Sequence, residues 1–230
     1  LSLGSGLLTP MDLARGFAVI ANGGYDVEPY LISQISDINN ETIFEAPDVK
    51  LCDENCTEKQ ENNSDDEKEV RIARRLADER SVYILHSMMR DVIKRGTGRR
   101  AQALGRDDIS GKTGTTNEQR DTWFGGFNHD VATTVWVGRR EFGASTALPA
   151  WIDYMKVALK GEPPSLMARP NGIVNIRIDP ETGRRARPGQ EGAMFEIFRE
   201  EDAPPPLDPQ DESSAGGNNG SSDDLSRQIF

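Results

Sequence analysis

The run Gly111-Lys112-Thr113-Gly114-Thr115-Thr116-Asn117 leaves the backbone few arrangements to choose from. Small residues on both sides of one lysine let the chain approach a ligand closely, and they gather an ammonium and several hydroxyls in one place. Such a run serves either as a loop that cradles phosphates or as a strand that lines an acyl-transfer cleft. The loop reading fails on spacing. It requires a glycine, four residues, then Gly-Lys-Ser/Thr, and Arg106 stands where that first glycine should be. Asp107 and Asp108 would also bring negative charge into the cradle. A phosphate loop runs straight into a helix, whereas no helical period comes after Lys112.

The sequence beyond Lys112 reads as β structure. Asp121 to Phe127 is apolar and aromatic, Asn128-His129-Asp130 is a turn cluster, and Val131 to Gly138 is rich in Val, Thr and Trp. A motif strand with a hairpin after it predicts an antiparallel sheet with Lys112 near its edge. Trp123 and Phe124 read as core or cleft wall.

Three helices frame that sheet. Thr9 is a good N-cap, Pro10 suits the first helical position, Leu13, Phe17 and Ile20 form a stripe, and Gly23-Gly24 stops the helix. A second helix is predicted from about Asp78 to Lys94, with Val82, Leu85, Met89 and Val92 on its apolar face. A third runs from about Pro149 to Leu159. Val27 to Ile38 reads as strand and hairpin. Ile173 to Asp179 alternates like a strand with one buried face, Pro180-Glu181-Thr182-Gly183 supplies a turn, and Met194 to Phe198 returns.

Charge divides the chain unevenly. The formal net charge is −11, yet residues 53–69 hold eight acidic and two basic residues and residues 200–230 hold eight and one. The remainder is close to neutral, with no basic stripe of the kind that nucleic acid requires. The acidic insert at 53–69 reads as a mobile surface loop, and the tail as disordered, because neither can bury enough apolar surface to offset its ordering entropy. Cys52 and Cys56 sit at this insert. A disulfide and free thiols both remain open, while a zinc site would lack two ligands, since His86 and His129 are not in register. Both histidines read as ordinary polar residues. No stretch approaches the ~20 apolar residues that span a bilayer.

Four motifs in order then resemble one family. They are Lys112-Thr113-Gly114-Thr115-Thr116-Asn117 with Asp121-x-Trp123-Phe124-x-Gly126; Leu3-Gly4-Ser5-Gly6 with Thr9-Pro10 and Ala21-Asn22-Gly23-Gly24; Arg95-Gly96-Thr97-Gly98 with Ala101; and Thr146-Ala147-Leu148-Pro149 before Trp151. The chain resembles the C-terminal part of the transpeptidase domain of class A, bifunctional penicillin-binding proteins. The resemblance implies an α+β fold of the penicillin-binding-protein and serine β-lactamase type, an antiparallel sheet packed with helices and here incomplete. Residues 1–165 would be the C-terminal half of that domain, 166–199 a small β extension, and 200–230 an acidic tail.

The resemblance also implies a chemistry. A serine attacks a D-Ala-D-Ala peptide bond, and an amine of a second peptidoglycan stem peptide takes the acyl group. Lys112 and the backbone N–H of Thr115 would be catalytic, the latter as an oxyanion donor. Thr113, Gly114, Thr116 and Asn117 would bind substrate; a side chain at 114 would block a peptide laid along the strand. No cofactor or metal is implied. Partners would be stem peptides, β-lactams and other cell-wall synthesis proteins, on the periplasmic side of the bacterial inner membrane through an anchor outside this sequence, beside an attached glycosyltransferase. The family's Ser-x-x-Lys and Ser-x-Asn motifs do not occur here; the nearest match is Ser87, with Arg90 three residues on. The chain is therefore expected to be a piece inactive by itself. A non-catalytic peptidoglycan-binding module and a serine β-lactamase are the competing readings. A cut core should leave apolar helix faces exposed, so residues 1–199 alone should melt without a sharp cooperative transition above about 60 °C; calorimetry checks this.

Overall fold

The computed structural model describes residues 6–52, 70–116, 121–138 and 146–207. Two compact units divide between Asn171 and Gly172. In the first, helix α1 (Pro10–Ala21) precedes two short strand pairs, β1 (Gln34–Ser36) with β2 (Thr42–Glu45) and β3 (Asp48–Cys52) with β4 (Val70–Arg74). Helix α2 (Glu79–Lys94) and a 3-10 turn (Arg99–Leu104) lead into β5 (Ser110–Thr115), β6 (Asp121–Phe127) and β7 (Ala132–Gly138), and helix α3 (Ala147–Ala158) comes next. The second unit is a hairpin of β8 (Ile173–Ile178) and β9 (Met194–Arg199).

Antiparallel β5, β6 and β7 form a sheet in that order, with Lys112 opposite Gly125 and Trp123 opposite Trp136. Strand alternation sends Phe124 to one face and Gly125 and Phe127 to the other. α3 covers the Phe124 face, where Trp151 lies with its ring centroid 4.9 Å from that of Phe124 and donates its indole N–H to Thr133 O at 3.1 Å. α1 covers the opposite face. Gly125 has no room for a side chain there, because a Cβ would sit 1.8 Å from Cε2 of Phe17. The glycine lets that aromatic ring close onto the backbone and pack beside Phe127.

α1 starts as its sequence predicts. Thr9 Oγ1 accepts from Asp12 N at 3.1 Å, and the Asp12 carboxylate accepts from Thr9 N at 3.0 Å, a reciprocal capping box. On α2 the buried stripe is Val82, His86, Met89 and Ile93. The predicted stripe is thus rotated by about one residue at two positions, and Leu85 and Met88 are exposed. The reason is tertiary: α2 packs against β5, whose buried Ser110 offers a polar partner to His86. His86 is therefore no ordinary surface residue. α3 begins at Ala147, two residues before the predicted start, because Ala147 and Leu148 join its buried face.

The hairpin expected within 27–38 lies further on. Residues 27–33 are not strand, and β1 pairs antiparallel with β2 around a turn in which Asp37 Oδ1 accepts from the N–H groups of Asn39 and Glu41, both at 2.8 Å. β3 and β4 run parallel, from Asp48 opposite Val70 to Cys52 opposite Arg74. This pair brackets the acidic insert, whose residues 53–69 lie outside the described residues along with Cys56. Cys52 is buried and disulfide-bonded. In the second unit Ile173, Ile176 and Ile178 are buried. The stretch after β9 departs from the reading of a disordered tail: a 3-10 turn spans Glu200–Asp202, and Pro204 O accepts from Arg185 Nε at 2.7 Å. Residues 208–230 lie outside the described residues.

Asp108 is the polar centre of the first unit, fully buried just before β5. It accepts two bonds from Arg106 (2.9 and 2.7 Å), one from Ser165 N (3.0 Å) and one from Asn128 Nδ2 (3.4 Å). Burial by itself would raise its pKa, but these donors together hold it below the usual carboxylate range. Removing one partner of such a pair strands the other, so Asp108→Ala should destabilise the chain by about 3–5 kcal/mol. The shift in urea midpoint against the parent chain measures it.

Candidate acyl-transfer site

β5 carries the motif at the rim of the sheet. Only β6 pairs with it, so its other edge is open among the described strands. Gly111 lies under Phe124, where a Cβ would meet Cζ of that ring at 2.7 Å and Gly125 O at 2.9 Å. The glycine thus lets the motif strand lie flat on β6. From there the strand emerges from the core: Ser110 and Gly111 are buried, Thr113 and Gly114 are partly covered, and Lys112 and Thr115 are exposed.

Lys112 Nζ donates to Thr113 O at 2.9 Å and lies 3.4 Å from Thr113 Oγ1. It makes no ion pair among the described residues, so its charge is available to an incoming carboxylate. Gly114 stands opposite Trp123, with a Cβ position 3.1 Å from Cβ of that tryptophan. Thr116 is tied into the hairpin: its N–H donates to Asp121 O at 3.1 Å and its Oγ1 accepts from Asp121 N at 3.0 Å. That position closes the turn as well as standing in the motif. Asn117 lies outside the described residues.

Thr97 is the residue whose part sequence reading missed. Its hydroxyl lies 2.9 Å from that of Thr113. The flanking glycines explain the approach, since a Cβ at Gly96 would sit 2.8 Å from the Val92 Cα and one at Gly98 2.8 Å from Ile93 Cδ1. The segment after α2 folds back tightly and brings a hydroxyl to the motif strand. The Arg95-Gly-Thr-Gly spelling carried that signal, two glycines around one hydroxyl.

Beneath the motif, Ser110 Oγ donates to His86 O at 3.3 Å and lies 3.5 Å from His86 Nε2, while the imidazole packs on Phe127 with centroids 5.3 Å apart. Burial, assisted by the charge of Arg90, lowers the His86 pKa to about 4. The ring is neutral at pH 7. No group of three or more acidic, His or Cys side chains that could hold a metal occurs among the described residues, and no described helix is long and apolar enough to cross a membrane.

β5 thus presents a lysine and threonine hydroxyls on an edge that is open among the described strands, with the Thr97 hydroxyl 2.9 Å from that of Thr113. Residues 1–138 match the family model of the penicillin-binding protein transpeptidase domain. Penicillin-binding protein 1A of Pseudomonas aeruginosa is 43% identical over 240 residues, covering 89% of this chain and 29% of that protein. Penicillin-binding protein 1A of Neisseria lactamica is 39% identical over 182 residues, 76% of this chain and 21% of that one. Among solved structures, the 2.6 Å crystal structure of penicillin-binding protein 1A from Haemophilus influenzae superposes with a TM-score of 0.71 at 31% identity, over 86% of this chain and 33% of that chain. The chain belongs to the penicillin-binding protein transpeptidase family. It spans about a third or less of the length of these relatives.

The burial of His86 and the Thr97–Thr113 contact can each be checked. His86 has a lower pKa folded than unfolded, so the unfolded chain binds more protons between the two values. Its contribution is fully present above about pH 6.5 and is lost as pH falls toward 4. A His86→Phe chain should therefore lose less stability than the parent between pH 6.5 and 4, by on the order of 2–3 kcal/mol, in urea unfolding at both ends of that window. Separately, Thr97→Val should leave the melting temperature within a few degrees, since one exposed hydrogen bond is worth only about 1 kcal/mol. The Thr113 hydroxyl should nevertheless lose its fixed rotamer, visible as averaged Thr113 side-chain couplings by NMR.

Proposed function

We propose that this chain forms one wall of a peptidoglycan D,D-transpeptidase site, in which a serine acylated by a stem peptide passes the acyl group to an amine of a second stem peptide. The exposed Lys112, which makes no ion pair among the described residues, on a strand edge open among the described strands is the observation that carries the reading. The edge gives an extended peptide main-chain partners, which suits a substrate with D-residues because side-chain handedness matters little to that ladder. Lys112 offers its charge to the substrate carboxylate and to the hydrogen-bond network around the nucleophile. Thr113, held by Thr97, and Thr115 offer hydroxyls to the same carboxylate. The backbone N–H of Thr115 serves as an oxyanion donor, a role typically worth ~10²–10³ in rate. Gly114 keeps the strand surface low enough for the peptide, and Thr116 and Asn117 border it.

The nucleophile is assigned to a Ser-x-x-Lys in a part of the parent protein outside this sequence. In the same reading residues 1–165 belong to the transpeptidase domain and 166–199 to an appended β unit. The parent works on the periplasmic face of a bacterial inner membrane, carries a glycosyltransferase and binds β-lactams. Intact-mass analysis after incubation with a penicillin tests this. This chain should gain no adduct, and a chain extended upstream to include a Ser-x-x-Lys should gain one equivalent. In the extended chain Lys112→Ala should slow acylation roughly 10²-fold or more, the scale of a lost electrostatic contact at the reacting centre. An adduct on the present chain would place the nucleophile on one of its own serines and overturn the assignment.

A further inference from the structure

Strand register places one continuous set of residues on the sheet face that Lys112 shares. Lys112 stands opposite Gly125, Gly114 opposite Trp123, and Trp123 opposite Trp136, so these positions lie on the same face of β5, β6 and β7. Asp121, two residues before Trp123 and opposite Gly138, belongs to that face as well. The two indoles stack, with ring centroids 5.7 Å apart and planes 21° from parallel. Glycines on both sides make room for them. A Cβ at Gly138 would sit 2.8 Å from Trp136 Cζ2, and one at Gly114 would sit 3.1 Å from Trp123 Cβ.

Core packing does not account for this pair. Trp136 is 53% exposed, although an indole is among the largest apolar groups a chain can bury. The ring is nevertheless held in one orientation, because its N–H donates to Asp121 Oδ1 at 2.9 Å. Asp121 is itself tied to the hairpin: its N–H donates to Thr116 Oγ1 at 3.0 Å, and its backbone O accepts from Thr116 N at 3.1 Å. The result is a preorganised aromatic shelf with a carboxylate and a hydroxyl at its rim, on the same face as Lys112.

Such a shelf suits a ligand that is apolar on its flat side and polar at its edge. A pyranose ring has that form. Its axial C–H groups, polarised by neighbouring oxygens, meet the negative face of an indole, and its equatorial hydroxyls can donate to Asp121 Oδ2. An aliphatic surface on the same shelf would take water from that carboxylate and supply no donor in its place. We propose that the Trp123–Trp136 shelf binds pyranose rings of the glycan strand that carries the stem peptides. The choice of glycan rests on the transpeptidase reading.

The test titrates this chain with a β-1,4-linked tetramer of N-acetylglucosamine and follows the indole N–H signals of its three tryptophans by NMR. The Trp123 and Trp136 signals should shift saturably, while that of the fully buried Trp151 stays in place. Trp136→Leu keeps apolar bulk over Gly138 but removes the ring. Followed at Trp123, it should weaken binding about tenfold, the scale of one lost aromatic contact, with an unmoved Trp151 signal showing that the fold is kept. Trp136→Tyr retains an aromatic face and should bind within about threefold of the parent. The proposal is overturned if no saturable shift occurs up to the solubility limit of the tetramer, if leucine binds as well as tryptophan, if tyrosine binds no better than leucine, or if a sugar-free stem peptide shifts the same signals equally. Penicillin adduct formation on the upstream-extended chain reads the Lys112 strand independently, so failure of the shelf and failure of the transpeptidase reading are told apart.

Discussion

The buried pair of Asp108 and Arg106 fixes where the sheet begins. Asp108 is fully buried at the entrance to β5, and an isolated carboxylate there would be costly to desolvate. Arg106 meets it with two hydrogen bonds and then reaches Glu162 O at 2.6 Å and Pro163 O at 3.2 Å. Asn128 and Ser165 complete the shell. The first residues of β5, the turn between β6 and β7 and the segment after α3 are thereby held by one network. The register of the motif strand, and so the position of Lys112, depends on it.

Packing does the rest of the positioning. Two glycines of β6 and one of β5 admit aromatic rings to the backbone: Phe17 at Gly125, Trp151 at Gly126 and Phe124 at Gly111. The sheet is sandwiched without a thick layer of its own side chains, and the motif strand is left at the rim. There the Thr97–Thr113 contact adds a local brace. Lys112 and Thr115 remain accessible because β5 pairs on one side only among the described strands. The same arrangement exposes Leu85 and Met88 on α2, and Leu7, Leu8 and Met11 around the start of α1.

Much of this was legible from local signals. The capping box of α1, the extent of α2 and the β8–β9 hairpin arise from short-range rules of capping, period and turn chemistry. The motif strand was legible because failed loop spacing and the β-rich sequence after it point the same way. Less legible were the features that depend on a distant partner. The helical period of α2 allows Leu85 or His86 to face inward, and the hydroxyl of Ser110 on β5 and the ring of Phe127 on β6 are what meet the histidine. The parallel β3–β4 pair joins residues on both sides of the acidic insert, which no local pattern signals. Asp108 looked like a charge unwelcome to phosphate, and it is a neutralised core group.

By itself the sequence determined the class of fold, the family and the strand that bears the candidate chemistry, because periodicity, caps and a motif of small residues around one lysine are local properties of the chain. Only the tertiary structure decided that Thr97 holds Thr113, that His86 is buried and neutral, that Arg106 compensates Asp108, and that Trp123 and Trp136 stack across the sheet. Each of those depends on how much water a group loses and which partner replaces it, and that is set by segments far apart in sequence.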